Sequence, residues 1–324
     1  MIIRLTQSAD AETVRHRLKG LGAWPVELLD DDGRPEAFLI RGHSACVERH
    51  QFIDIPGVLD VLSPAPKQPL VDKAAGRLTM SVSGEEVPLL VAGPCSIEGE
   101  KSIYEAAAHV NRIGGTYLRG GAFKPRTSPY EFTGLGREAL GWMRGAADAH
   151  GLKVVTEVLS EFDVSAVAEM ADVIQIGSRN MQNFALLRAV GRTGRPALLK
   201  RGRSATIDEW LSAGEHLYHA GCAHVVFCER GLQGFDPHTR NLLDLNAIAV
   251  LRHQYNLPVI VDPSHAAGRR DLVIPLAKGA IAAGAIGAMV EISAHPGDAR
   301  SDGPQALSFD QASELAKAIG ITQR

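Results

Sequence analysis

Four side chains that can bind a metal ion come from parts of the sequence that are far apart. Cys95, His265, Glu291 and Asp302 each lie at or shortly after the end of a short apolar run. A thiol, an imidazole and two carboxylates differ from the Cys and His cages of structural zinc sites. Such a mixed set leaves a position for a water or a substrate oxygen, as a Lewis-acid catalyst requires. Each residue alone is more often ordinary packing, so the hypothesis depends on the four meeting in the folded chain.

A second set of residues is basic. Its members are Arg119, Lys124, Arg126, Arg179, Lys200 and Arg230. Arg119 and Lys200 directly end apolar runs, which fits poorly with simple surface charge. The whole chain has a formal net charge of −3, so the enrichment is local. Because Arg binds phosphate and carboxylate in bidentate fashion and Lys acts as a point charge, the set predicts a multiply charged anionic ligand.

Both sets lie where the strands of a barrel would end. From residue 88 the chain repeats an apolar run, a polar or Gly-rich loop and a helical segment. The apolar runs lie at 88–92, 116–119, 153–158, 173–176, 197–200, 224–228, 258–261 and 288–292. Eight units in about 235 residues match a (β/α)8 TIM barrel. The competing architecture, a doubly wound open sheet, would place GxGxxG after its first strand, where AGPCSIEGE stands instead.

A closed barrel would bring the metal-binding candidates together. Functional groups of such barrels lie at the carboxyl ends of the strands, and the first, seventh and eighth strands are neighbours after closure. Cys95 follows the first run, His265 the seventh and Glu291 the eighth. The sequence therefore predicts that these side chains and Asp302 converge beside the basic set.

A smaller pattern precedes the barrel. Strand-like segments at 1–6, 26–29, 37–40 and 58–62 alternate with helical spacing at 11–21 and 44–52 in the order βαββαβ, which is typical of a ferredoxin-like domain. The predicted organisation is a ferredoxin-like domain at 1–66, a proline-containing linker at 67–77 and the barrel at 78–324. A short hairpin is expected within 78–87, at the bottom of the barrel.

Composition excludes several classes of protein. Hydrophobic residues make up 45% and charged residues 22%, as in soluble globular proteins. The slightly acidic balance argues against a general nucleic-acid binder. The four cysteines show no CxxC spacing, and no segment looks like a secretory signal or a membrane span. We therefore expect a cytoplasmic protein with neither nucleic-acid nor membrane partners.

Nine ordered segments resemble a known family. They are AGPCSIE (92–98), LRGGAFKPRTSPYEFTGLG (118–136), VVTEV (154–158), IQIGSRNMQNF (174–184), LLKRGRSATIDEWL (198–211), CERG (228–231), TRNLLDL (239–245), VIVDPSHAAGRRDLV (259–273) and SDGPQAL (301–307). They are similar to 3-deoxy-D-arabino-heptulosonate 7-phosphate (DAHP) synthase, in the branch close to 3-deoxy-D-manno-octulosonate 8-phosphate synthase. The residues before the linker resemble the ferredoxin-like domain that some members carry.

The resemblance implies an activity and a set of roles. Members condense phosphoenolpyruvate with erythrose 4-phosphate and release phosphate, the first step of the shikimate route to aromatic amino acids. They use one divalent metal ion, and the matching ligands are again Cys95, His265, Glu291 and Asp302. The sequence leaves the choice among Mn, Fe, Co and Zn open.

The resemblance also implies which residues bind the two substrates. Phosphoenolpyruvate would be held by Arg119, Lys124, Arg179, Lys200 and Arg230, and the aldose phosphate by Arg126, Thr127 and Ser128. Asp262 would orient His265 or bind sugar hydroxyls. Lys124 and Glu157 are the candidates for proton transfer.

Three alternatives stay open at this point. An octulosonate synthase would use arabinose 5-phosphate, but Lys124-Pro125-Arg126-Thr127 is similar to the DAHP synthase loop rather than to the KANRSS-type loop of the sister enzymes. A Schiff-base aldolase using Lys200 would need no metal. A catalytically silent barrel would predict decay of the ligand set.

Regulation and assembly are expected from relatives. In the family, the front domain can sense an aromatic amino acid, so tyrosine or phenylalanine is the expected effector of residues 1–66. Relatives also lead us to expect a homotetramer.

Overall fold

The chain folds into two compact units. A computed structural model describes residues 1–63, 65–76, 88–124, 128 and 130–322. Unit 1 comprises Met1–Lys67 and unit 2 comprises Gln68–Arg324.

Unit 1 is a four-stranded antiparallel sheet with two helices. Its elements are β1 (Ile2–Leu5), α1 (Ala11–Gly20), β2 (Pro25–Leu29), β3 (Pro35–Ile40), α2 (Arg49–Ile53) and β4 (Val58–Leu62). The strand order is β2-β3-β1-β4, which confirms the predicted ferredoxin-like arrangement. Ile3 pairs with Phe38 and Val61 on the buried face, and these side chains form the core with α1. Helix α2 is shorter than predicted because Glu48 caps its start in a capping box with Gln51.

Unit 2 is built on a closed parallel barrel of eight strands. The strands are β5 (Leu89–Gly93), β6 (Tyr117–Arg119), β7 (Lys153–Val158), β8 (Val173–Ile176), β9 (Ala197–Lys200), β10 (Val225–Glu229), β11 (Val259–Val261) and β12 (Gly287–Glu291). Closure pairs β12 with β5 and sets Glu291 opposite Gly93. The predicted fold class is confirmed, and the strands begin and end within about one residue of the predicted runs.

The outer layer of unit 2 is helical. Its helices are α3 (Pro69–Ala74), α4 (Glu100–Arg112), α5 (Arg137–Ala149), α6 (Val164–Met170), α7 (Phe184–Gly191), α8 (Ile207–His219), α9 (Leu245–Ala249), α10 (Pro263–Ala267), α11 (Val273–Ala282) and α12 (Phe309–Ala318). Helix α9 continues into a π-helical turn, Val250–Gln254. Within the described ranges, no helix is both long and apolar enough to cross a bilayer.

The segment predicted to be a linker is partly helical. Residues Pro69–Ala74 form α3, and Val71 is fully buried in the core between strands and helices. The Glu215 carboxylate on α8 accepts hydrogen bonds from the Leu70 and Val71 amides. The proline content predicts a linker, but Pro69 stands at the first position of α3, where proline is favourable because no hydrogen bond is lost there. The hairpin expected within 78–87 lies outside the described residues.

Two apolar layers hold the strand ends in place. Alternate strand residues, including Val91, Leu198 and Ile260, fill the barrel interior. Their neighbours along the strands, such as Leu90 and Leu199, pack outward against the helices. Because side chains alternate along a strand, a one-residue slip would expose an entire face. The packing therefore fixes the register of the strands and with it the positions of the polar side chains that follow them.

Candidate active site

A polar cavity of about 310 Å³ lies at the carboxyl ends of the barrel strands. Five of the six predicted basic residues line it: Arg119, Lys124, Arg179, Lys200 and Arg230. His265, Asp302 and Glu157 line the same cavity. Arg126 and Thr127, predicted to bind the aldose phosphate, lie outside the described residues. The barrel thus brings most of the two predicted sets to one place.

Three of the four predicted metal ligands are clustered. One donor atom each from Cys95, Glu291 and Asp302 lies within 4.8 Å of the other two. Cys95 Sγ is 3.1 Å from Asp302 Oδ2. The β12–β5 pairing accounts for the approach of Glu291 to Cys95, which follows β5. Asp302 has a positive φ of 53°, a conformation that Asp accepts more readily than most residues.

His265 lies beside this cluster rather than inside it. Its Nε2 is 3.5 Å from Glu291 Oε1, but it is not one of the three mutually close donors. Asp262 caps α10 by accepting a hydrogen bond from the His265 amide, and its other oxygen lies 2.8 Å from His265 Nδ1. Because Nδ1 is hydrogen-bonded to Asp262, Nε2 is the ring nitrogen that faces the cluster. The fourth predicted ligand is therefore oriented toward the other three.

The donor set fits a divalent cation. Cys95 is 4% exposed, and burial, helped by nearby Glu291, raises the pKa of its thiol to about 12. Burial also opposes ionisation of Glu291, but His265, Arg119 and Lys124 outweigh it and lower the pKa of Glu291 to about 2. A buried thiol beside carboxylates becomes a thiolate when a cation compensates the charge. The cluster is thus a possible metal site.

Several of the basic side chains are paired with acidic residues. Arg119 Nη1 is 2.8 Å from Glu291 Oε1, and Lys200 forms an ion pair with Asp262. Lys124 Nζ donates to both the carbonyl oxygen and Sγ of Cys95, each at 3.1 Å. All six basic residues are predicted to face one multiply charged anionic ligand. For Arg119 and Lys200 the structure corrects this, because protein carboxylates already compensate much of their charge.

Arg230 is the buried cation with most need of an external anion. It is 4% exposed and donates to the carbonyl oxygens of Gly231 and His265, at 3.4 Å each. It forms no ion pair with any residue in the described part of the chain. Burial lowers its pKa, which is the mark of an insufficiently compensated charge. Arg203 and Arg240 line the same cavity, so the positive charge around Arg230 suits an anionic group.

The remaining predicted residues are placed differently. Glu157 lines the cavity and accepts a hydrogen bond from Gln175 at 3.3 Å. Gly177 supplies the space, because a Cβ there would be 1.9 Å from Glu157 Oε1. Asp262 is 1% exposed and lies behind Lys200 and His265, so it is a support for these side chains rather than part of the cavity lining. Ser128 is half-buried and does not line this cavity.

Sequence reasoning missed several polar residues at the site. Arg203 and Arg240 also line the cavity. Behind it, Arg201 forms ion pairs with Glu229 at 3.0 Å and Asp244 at 2.9 Å. Arg201 and Arg203 stand in the RGR that follows β9, so the strand-end argument could have included both. Arg240 follows β10 at a distance of many residues, and nothing in its spacing indicates the cavity.

Comparison with known proteins gives a consistent result. The model of the DAHP synthetase I family matches residues 71–323. A phospho-2-dehydro-3-deoxyheptonate aldolase of Thermotoga maritima is 50% identical over 239 residues, which cover 72% of this chain and 71% of that protein. A 2-dehydro-3-deoxyphosphooctonate aldolase of Acidithiobacillus ferrooxidans is 30% identical over 250 residues, which cover 71% of this chain and 87% of that protein.

Solved structures agree with the sequence comparison. The crystal structure of a Thermotoga maritima DAHP synthase superposes with a TM-score of 0.73 at 38% identity and covers 98% of this chain and 95% of that chain. A truncated form of the Thermotoga maritima enzyme gives a TM-score of 0.68 at 43% identity, over 74% of this chain and 88% of that chain. The chain belongs to the DAHP synthetase I family.

Proposed function

We propose that this enzyme condenses phosphoenolpyruvate with D-erythrose 4-phosphate and water to give DAHP and inorganic phosphate. This places it at the first step of the shikimate pathway. The observation that carries the proposal is one cavity in which the Cys95, Glu291 and Asp302 cluster adjoins the basic side chains. A cluster that can bind a Lewis acid beside a cationic pocket suits an aldehyde that must be polarised next to a phosphorylated partner.

One divalent ion, of Mn, Fe, Co or Zn, would be held by Cys95, His265, Glu291 and Asp302. When bound, it supplies Lewis-acid polarisation of the sugar aldehyde. The chain's own contribution is to fix the ligands. Asp262 orients His265 through both its amide and its Nδ1, and Arg119 holds Glu291 at 2.8 Å.

The basic residues would bind phosphoenolpyruvate. Arg230, short of partners within the protein, is suited to the phosphate or carboxylate. Arg179 lines the same cavity, and Arg119, Lys124 and Lys200 supply positive charge close to the cluster. This field also stabilises the phosphate as it leaves. Arg126, Thr127 and Ser128 would bind the phosphate of the aldose.

Two side chains are proposed to move protons. The methylene carbon of phosphoenolpyruvate attacks the aldehyde carbon, a C–C bond forms, and the aldehyde oxygen takes a proton. Lys124 is the donor, because its Nζ lies 3.1 Å from Cys95 Sγ, beside the cluster. Water then adds to the former enol carbon, and the C–O bond to phosphate breaks. Glu157, on the cavity wall, orients this water or accepts its proton.

The ion pair of Lys200 argues against the Schiff-base alternative. A lysine must be neutral to attack a carbonyl, and Lys200 is buried against the carboxylate of Asp262. Asp262 has a pKa well below its usual range despite its burial, because His265 and Lys200 favour its ionised form. The ion pair with Asp262 therefore opposes the neutral amine that a Schiff base needs.

The preferred aldose substrate distinguishes the two activities for which the relatives are named. We expect phosphate release from phosphoenolpyruvate to be faster with erythrose 4-phosphate than with arabinose 5-phosphate by at least about 100-fold in kcat/KM, about 3 kcal/mol of discrimination. We expect this preference because the sequence Lys124-Pro125-Arg126-Thr127 is similar to the loop of DAHP synthases and not to the KANRSS-type loop of octulosonate synthases. The measurement is a phosphate assay with each aldose at matched enzyme concentration. A preference for arabinose 5-phosphate would identify an octulosonate synthase instead.

Regulation and assembly complete the proposal. Residues 1–66 would bind tyrosine or phenylalanine as an inhibitor, and the enzyme would act as a cytoplasmic homotetramer. What supports a separate effector domain is that Met1–Lys67 folds as its own unit and lies before the matched residues 71–323.

A further inference from the structure

We propose that Arg240 and Gln305 are positioning residues of the metal site. Their predicted effect is to hold the two acidic ligands in the geometry that a divalent ion requires. The inference rests on the proposed function, because it assumes that Glu291 and Asp302 bind an ion.

The two acidic ligands each turn one oxygen toward a supporting side chain and the other toward the cluster. Arg240 Nη1 is 3.3 Å from Asp302 Oδ1, while Asp302 Oδ2 is the atom that faces Cys95. Gln305 Nε2 donates at 2.7 Å to Glu291 Oε2, while Glu291 Oε1 faces His265. In each carboxylate, one oxygen is held by Arg240 or Gln305 and the other faces the cluster, where Glu291 Oε1 also accepts a hydrogen bond from Arg119 at 2.8 Å.

The two supporting side chains also bind each other. Arg240 Nη1 lies 3.2 Å from Gln305 Oε1. The amide of Gln305 therefore accepts from Arg240 and donates to Glu291, which fixes its orientation. Gln305 is 2% exposed, so breaking this chain of hydrogen bonds would leave buried polar groups unsatisfied. Arg240 thus acts on one acidic ligand directly and on the other through Gln305.

The backbone around Arg240 is tied to the segment that carries His265. The Arg240 amide donates to the Ala267 carbonyl at 2.9 Å, and Asn241 Nδ2 donates to the His265 carbonyl at 2.8 Å. Gly268 allows this approach, since a Cβ there would lie 2.6 Å from Arg240 Cβ and the residue has a φ of +68°. Arg240 and Asn241 therefore contact the segments that carry two of the four proposed ligands, His265 and Asp302, and Arg240 reaches Glu291 through Gln305.

Charge explains why such support is needed. Without an ion, Glu291, Asp302 and the thiol of Cys95 are close together, and two like charges disfavour one another. Arg240 supplies a positive charge on the outer side of Asp302, and its side chain is 42% exposed, so it costs less to desolvate than a buried cation. Outer residues of this kind commonly change metal affinity or activity by about 10- to 100-fold.

The test measures metal binding directly. Metal-free protein is titrated with Mn²⁺ in a calorimeter for wild type, Arg240→Gln, Gln305→Met and Arg240→Lys. We expect Arg240→Gln and Gln305→Met to weaken Mn²⁺ binding by about 10- to 100-fold. Arg240→Lys keeps a charge beside Asp302 and should recover part of the loss. Thermal unfolding of each metal-free variant identifies any variant whose fold is disturbed. The Mn²⁺ affinities of the variants that remain folded then decide the inference.

Arg269→Gln is the matched control. Arg269 is a neighbouring arginine of similar exposure, 48%, but its ion pair is with Asp271. Its loss should leave the Mn²⁺ dissociation constant within about twofold of wild type. Wild-type affinity in folded Arg240→Gln and Gln305→Met would overturn the inference and leave the proposed function intact. Failure of the wild-type protein to bind Mn²⁺ would instead contradict the metal site itself.

Discussion

At the scale of single residues, the site is a balance between buried charges. Glu291 is 1% exposed but ionised, because Arg119 and His265 compensate its charge. The residue types of this site could be predicted from the sequence, since each follows an apolar run. The pairing of these residues could not be predicted. A contact such as the ion pair of Lys200 with Asp262 depends on the directions of the side chains, and the spacing of residues along the chain does not determine these directions.

The charge of Glu291 predicts a pH dependence. Its pKa in the folded protein, about 2, lies below its ordinary value of 4.5, so the ionised carboxylate stabilises the fold above pH 4.5 and this contribution is lost as the pH falls toward 2. For metal-free protein, we expect Glu291→Gln to lower the free energy of unfolding by about 3 kcal/mol at pH 6. Urea unfolding should show this difference shrinking between pH 4.5 and pH 3. A difference that stays constant over that interval would contradict the assignment.

At the scale of elements, the strands were predictable and several connections were not. Apolar runs of four to six residues locate β7, β8 and β9 because buried parallel strands are apolar on both faces. Residues 67–77 are predicted to be a linker because three prolines stand within 64–76, a composition common in linkers, but Val71 is fully buried. The π-helical turn Val250–Gln254 also has no signal in the residue pattern.

A glycine between β8 and the following turn tests the role of Glu157. A Cβ at Gly177 would be 1.9 Å from Glu157 Oε1, and this side chain can move, so Gly177→Ala should displace Glu157 without unfolding the barrel. We expect kcat to fall by about 100-fold. Steady-state kinetics measure the fall in kcat, and the thermal midpoint shows whether the barrel remains folded. In the control Gly141→Ala, on α5, nothing lies within 4 Å of the new Cβ, so kcat should stay unchanged. Full activity in Gly177→Ala would remove Glu157 from the mechanism.

At the scale of the whole molecule, the two units have separate cores. Ile3, Phe38 and Phe52 belong to the core of unit 1. The barrel core includes Val71 of α3 and residues of every later described α-helix except α10. The sequence predicted both units because each has its own repeat of strands and helices. It assigned residues 67–77 to a linker, whereas α3 within them contributes Val71 to the barrel core.

Truncation tests this division. A chain of residues 68–324 keeps α3 and should fold and release phosphate from phosphoenolpyruvate. A chain of residues 75–324 loses the buried Val71 and the hydrogen bonds from the Leu70 and Val71 amides to Glu215. Its thermal midpoint should therefore be about 5 °C lower than that of the 68–324 chain. The longer truncated chain should also lose inhibition by tyrosine or phenylalanine. Equal midpoints for the two truncated chains would show that α3 does not support the barrel, and retained inhibition would contradict an effector site in residues 1–66.

The central claim is that the thiol and carboxylate cluster binds a divalent ion that the condensation needs. Its most direct test is phosphate release from phosphoenolpyruvate and erythrose 4-phosphate before chelation, after chelation and after Mn²⁺ is restored, for wild type and Cys95→Ala. We predict that chelation lowers wild-type turnover by at least about 100-fold, that Mn²⁺ restores it, and that Cys95→Ala is not restored. Wild-type turnover in the chelated enzyme or in Cys95→Ala would contradict the account.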